Sequence, residues 1–152
     1  MTSEFTLYDA FREYVAGGVI DLANDTIQLA LVTEAYAPDV THSVLADVMC
    51  SPSPEVPQGG TPDSGYTTGG EAVTGMTVTH VDGVATWDAD NVAWASMNAT
   101  FRYGILYANN VVGAITAPLI GYVLFDNTPA DIVKAGELME VVWAPTGILT
   151  FS

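Results

Sequence analysis

Apolar and polar residues alternate with a period of two along most of the chain, and the period lengthens to that of a helix only near the start. Leu7, Ala10, Phe11, Tyr14 and Val15 recur three and four apart, Thr6 with Asp9 resembles a capping box, and Gly17-Gly18 supply a stop. The spacing predicts a helix over 6–17, with Asp9, Arg12 and Glu13 left for solvent. A shorter helical signal starts at Thr41 as N-cap and runs through Val44, Leu45 and Val48, a length that holds little intrinsic helicity. Between the two, residues 25–32 place Ile27, Leu29 and Leu31 on one face and Ala30 and Val32 on the other, which predicts a strand covered on both sides.

Over residues 50–72 the pattern breaks. Pro52, Pro54, Pro57 and Pro62 are interspersed with Gly59, Gly60, Gly65, Gly69 and Gly70, the composition of a long loop. Loops of this length are uncommon in compact domains unless functional or disordered, so the stretch reads as a surface arm with Tyr66 as its one large anchor.

From Val73 onward strand patterns follow one another. Met76, Val78 and His80 alternate with Thr77, Thr79 and Val81, and Asp82-Gly83 is a tight hairpin turn leading into 84–87. Further strands are expected at 92–94, at 100–107 with Phe101, Tyr103 and Ile105 on one face, and at 119–125, 138–143 and 148–151, with Asn109-Asn110 turning the chain. Seven or eight short strands at this spacing predict a mainly β fold, an antiparallel β-sandwich or barrel with a short N-terminal helix and one long Pro/Gly-rich loop. No internal repeat suggests a solenoid or propeller.

Composition narrows the picture. The 152 residues fit one domain, 1–152, large enough to fold without a metal or disulfide staple. Charged residues make up only 14%, and they are lopsided: 18 acids against three bases, Arg12, Arg102 and Lys134, for a net charge of −15. Three bases cannot neutralise a phosphate backbone, and an anionic membrane would repel the chain, so neither nucleic acid nor membrane is an expected partner. Cys50 is the only cysteine, so no intrachain disulfide forms. Met1 to Glu4 carry neither a basic n-region nor a long apolar core, and no Sec-type leader is expected.

The residues give little sign of catalysis. Nucleophilic chemistry needs a base beside the nucleophile, and the only histidines, His42 and His80, stand by a helix cap and a hairpin turn without a partner motif. Cys50 has no neighbouring base to activate it. Asp88-Ala89-Asp90-Asn91 opens like a calcium loop, but Ala93 stands where the glycine belongs and Ala99 where the closing Glu belongs. No phosphate-cradling glycine motif occurs. Trp87, Trp94 and Trp143 would make a sugar-stacking platform if exposed, but their place in strand-like runs favours the core. No catalytic residue, metal ligand or cofactor is expected, and the chain reads as a non-enzyme.

Several segments together resemble a family of small tailed-phage virion structural proteins. They are Leu7-Tyr8-Asp9-Ala10-Phe11-Arg12, then Gly18-Val19-Ile20-Asp21-Leu22, the strand at 25–32 and Ala35-Tyr36-Ala37-Pro38-Asp39-Val40-Thr41-His42. A G-Y-T-x-G-G turn at 65–70, R-Y-x-x-x-Y at 102–107, P-L-I-G-Y from Pro118 and W-x-x-x-G-I-L-T from Trp143 complete the series over nearly the whole chain. The resemblance implies a decoration, or cement, protein on the outer capsid surface, made in the host cytoplasm, or else a tail or neck component. A carbohydrate-binding module is the alternative from another class. The implied partners are the major capsid protein and copies of the chain itself, with a trimer favoured by analogy. Leu7, Phe11 and Tyr14 of the helix and Tyr66 of the arm are the candidate interaction residues. The Pro-rich stretch 51–63 looks longer than the family's usual link.

Overall fold

The computed structural model describes residues 3–151. Met1 and Thr2, part of the stretch read for a leader, lie outside them, as does Ser152. In chain order the elements are β1 (Glu4–Leu7), α1 (Ala10–Ala16), β2 (Ile27–Val32), α2 (Leu45–Val48), β3 (Glu71–Ala72), β4 (Thr77–Val81) and β5 (Val84–Asp88). They continue with β6 (Val92–Phe101), β7 (Tyr103–Ala108), β8 (Val111–Val112), β9 (Ile115–Thr116), β10 (Leu119–Leu124), β11 (Ile132–Val141) and β12 (Leu149–Phe151). The chain is mainly β, every strand pairing is antiparallel, and the arrangement is sandwich-like.

One layer is a five-stranded sheet in the order β1-β10-β7-β2-β3. Facing it are a long β6–β11 ribbon and a three-stranded sheet in the order β12-β5-β4, and a small β8–β9 hairpin stands apart. The main core fills the space between the layers. Leu29, Leu31, Leu106 and Val123 come from the five-stranded sheet, and Trp87, Trp94, Met97 and Met139 from the opposite layer. A second cluster lies on the outer face of the five-stranded sheet, where Ala30, Val32, Ile105 and Tyr107 meet Tyr8, Tyr36 and Val48. β2 supplies alternate residues to the two clusters, so the two-sided burial expected of it is present: only Gln28 of its six residues is not fully buried.

Several expectations need correction. The helix begins at Ala10, not near residue 6, because Thr6 and Leu7 belong to β1, where they pair with Tyr122 and Gly121. Asp9 stands at the N-cap without a side-chain capping bond. The second helix starts at Leu45, since the Asp39 carboxylate instead accepts from the Thr41 backbone N–H and hydroxyl and ties them into a turn. Residues 92–94 are the start of one ten-residue strand, β6, which ends at Phe101; the change of sheet at Arg102 sends Phe101 into the main core while Tyr103 and Ile105 join the outer cluster. The strand expected at 138–143 begins earlier, at Ile132, because two irregularities in its pairing with β6 interrupt the alternation around Gly136.

Arg102, between β6 and β7, is the junction of the two layers. Its backbone N–H donates to the Val32 carbonyl and its carbonyl accepts from Phe125 N–H. Its guanidinium donates to Asp131 (2.9 Å) and Glu34 (3.2 Å).

Candidate functional site

The long loop does not stand off as an arm. Both its ends are laid along the edge of β2: at one, Thr33 N–H donates to the Pro54 carbonyl and Val56 N–H to the Leu31 carbonyl, and at the other, β3 pairs Glu71 and Ala72 with Leu29 and Gln28. Tyr66 is 1% exposed. Its hydroxyl donates to Glu55 Oε1 at 2.7 Å and accepts from the Leu31 backbone N–H at 3.2 Å. Glu55 Oε1 also accepts from the Gly69 N–H at 2.6 Å, and the Gly69 carbonyl accepts from the Tyr107 hydroxyl at 2.6 Å. Burial, followed by the bond to Glu55, pushes the Tyr66 hydroxyl above the usual tyrosine range.

The G-Y-T-x-G-G turn is therefore a clamp. Gly65 and Gly70 both have positive φ, and a Cβ on either would overlap backbone, the Ser96 carbonyl oxygen in one case and the Leu29 carbonyl oxygen in the other. Only glycine lets the loop approach both layers this closely. Glu55, the acceptor at the centre of the clamp, drew no attention in the sequence. Its partners are 11 and 14 residues away, and no local pattern connects them.

The other candidate residues also face inward. Phe11 and Tyr14 are buried in the main core, with the Phe11 ring 6.2 Å from that of Phe151, so the helix covers one end of the sandwich with these side chains. Leu7 is half-buried against the same core.

The structure brings together a group of aromatics that no local sequence pattern connects. Tyr8, Tyr36, Tyr103 and Tyr122 pack with ring centroids 5.5–6.5 Å apart on the outer face of the five-stranded sheet. Tyr103 and Tyr122 keep partial exposure. The hydroxyls of Tyr8 and Tyr36 lie 2.8 Å apart, and Tyr36 is 3.2 Å from His42 Nδ1. Burial pushes both hydroxyls above the usual tyrosine range. The covering segment is held by Asp47, whose carboxylate accepts from the Ser43 and Val44 N–H groups and is lowered chiefly by the first of these. His42 thus closes a structural hydrogen-bond chain, and His80 lies exposed on β4. Cys50 is exposed.

A groove of about 430 Å³ opens between the β1–β10 side of one layer and β11 of the other, lined by Phe5, Val123, Phe125, Ile132, Met139 and Trp143 among others. Among the described residues, Lys134 and Glu140 are the titratable side chains on its wall. The Trp143 ring is fixed there by its indole N–H, which donates to the Asp90 carbonyl at 2.9 Å. Trp87 and Trp94 are buried, so of the three tryptophans Trp143 alone is placed to meet a ligand. Among the described residues no three His, Cys, Asp or Glu side chains converge as a metal cluster. No helix among them is long and apolar enough to cross a membrane.

No family model, curated protein or solved structure matches this chain.

Proposed function

We propose that the chain is a non-enzymatic structural protein of a tailed-phage virion, a decoration protein that binds the major capsid protein on the outer surface of the head and stabilises it. The observation that carries this reading is the ordered series of segments, from Leu7-Tyr8-Asp9 to Trp143 and beyond, that resembles such proteins over nearly the whole length. The acidity agrees with it. A chain with 18 acids and three bases suits a surface facing solvent rather than packaged DNA, and like charge keeps crowded copies soluble. Many copies would add contact area across neighbouring capsomers, so individually weak attachments act together.

Mass spectrometry and surface labelling of purified virions test the reading. The expected result is a chain present in many copies and labelled on the intact head. Confinement to the tail or neck would move the assignment there, and absence from the particle would overturn it. Attachment that survives both high salt and chelators would show that its contacts need no bridging cations.

Trp143 in the groove favours a second reading, a carbohydrate-binding module. Its sign would be a saturable change in tryptophan fluorescence on adding oligosaccharides, lost in Trp143→Ala; an unchanged spectrum would dismiss it.

A further inference from the structure

Strand edges expose unpaired backbone groups, and proteins blunt them with short strands, charges, bulges or proline. Most edges here are blunted in one of these ways. β1 has four residues and carries Glu4, β3 has two, and β12 has three. β11 is long, but two register shifts break its pairing and Lys134, Glu137 and Glu140 line it. Its partner β6 is long and uncharged, but the loop lies along its outer side, where Asn98 N–H donates to the Ser64 carbonyl. β4 is different. It has five residues, Thr77-Val78-Thr79-His80-Val81, in unbroken register with β5, and it contains no proline, Asp, Glu, Lys or Arg. All five are exposed, Val81 at 70% and Val78 at 49%.

The hairpin turn determines which groups face the open side. Asp82 (φ 51°) and Gly83 (φ 79°) both have positive φ, the two-residue turn whose flanking residues, here Val81 and Val84, exchange hydrogen bonds. Counting back along the ladder, Thr79 and Thr77 also bond to β5, so the N–H and C=O groups of Val78 and His80 point outward.

We propose that β4 pairs with β4 of a second copy, antiparallel about a two-fold axis at Thr79, joining two three-stranded sheets into one. In this register Val78 and His80 exchange hydrogen bonds with the partner's His80 and the partner's Val78. Thr79 stands opposite the partner's Thr79, a favourable cross-strand pair. In this register the edge is complementary to itself, its outward groups on Val78 and His80 lying symmetrically about Thr79, and this selects a second copy as the occupant. Two chains of net charge −15 repel one another, and a charge-free strip is where they approach with least penalty. A basic partner would instead be drawn to the acids elsewhere. The arrangement is a closed pair, unlike the threefold assembly that the resemblance implies, and it does not depend on the virion reading.

Sedimentation of the purified chain over a range of concentrations tests it. The expected result is a concentration-dependent shift to the mass of two chains. Thr79→Glu sets two carboxylates face to face and weakens association by about tenfold or more. Residues opposite each other without mutual hydrogen bonds have Cα atoms about 4.5 Å apart, within disulfide range. Thr79→Cys in a Cys50→Ser background therefore gives an interchain disulfide under mild oxidation, whereas Thr86→Cys, on the interior strand β5, does not. A single-chain mass at every concentration overturns the proposal. So does a dimer that Thr79→Glu leaves intact and Thr79→Cys fails to cross-link.

Discussion

Strands β2 and β4 both carry β-branched residues, IQLALV and TVTHV, but β4 has Thr and His where β2 is apolar, and the fold treats them in opposite ways. β2 lies between β7 and β3, with the main core on one face and the tyrosine-rich cluster on the other. β4 has β5 on one side and no strand of the described residues on the other, and all of its residues are exposed. Intrinsic preference for extended backbone is common to both. What separates them is the number of distant segments that land on each: β2 collects the 50–72 loop, β7 and the covering segment that includes Tyr36 and Val48, whereas β4 collects only its hairpin partner. Strand propensity reports fitness for a pleated surface, and long-range packing decides which surfaces become core.

If this contrast holds, substitutions should scale with it. Leu29→Ala in β2 removes a wholly buried side chain and is expected to cost about 2–5 kcal/mol, measured by denaturant unfolding. A loss below 1 kcal/mol would mean that β2 is far less tightly packed than described. Tyr66→Phe keeps the ring but deprives the Leu31 N–H of its acceptor and Glu55 of a donor. Here about 1–3 kcal/mol is expected, the cost of leaving buried polar groups unpaired.

Alkali probes the same side of the molecule without mutation. Burial raises the hydroxyls of Tyr8, Tyr36, Tyr66 and Tyr107, the last to about 12. The folded state keeps these protons while the unfolded chain releases them at 10.0, so stability is intact below pH 10 and falls as the pH rises from there. Phenolate absorbance followed together with circular dichroism should show these four tyrosines ionising only as the fold opens. These four ionising while the circular dichroism stays intact would contradict the burial described. At the small end, Val78→Thr on β4 should change the stability of the separated chain by no more than about 0.5 kcal/mol. A loss of several kcal/mol would make β4 part of the core.

What could be read from the sequence was local. The β4–β5 hairpin was legible because Asp82-Gly83 specifies its own turn, and the two-sided burial of β2 because both of its faces are apolar. β1 was not. Phe5 and Leu7 alternate as a strand, but Leu7 also fits the helical series that ends at Val15, and only pairing with Gly121 and its neighbours on β10 resolves the competition. β11 was half hidden by its own charged and irregular middle. The candidate residues show the same limit. Tyr66 reads as an anchor, but no local pattern points to Glu55, which it anchors to, and the four tyrosines packed edge to face or tilted come from four separate stretches of chain.

The junction at Arg102 has a mechanical consequence. β6 and β7 run as one stretch of chain from Val92 to Ala108, with a ladder to β11 in one layer and ladders to β10 and β2 in the other. A load drawing the two layers apart is carried by covalent backbone across the gap. It would then strain the ladders along their length, where many hydrogen bonds share it, instead of peeling them one at a time. Such a fold yields last where β7 sits between its two neighbours.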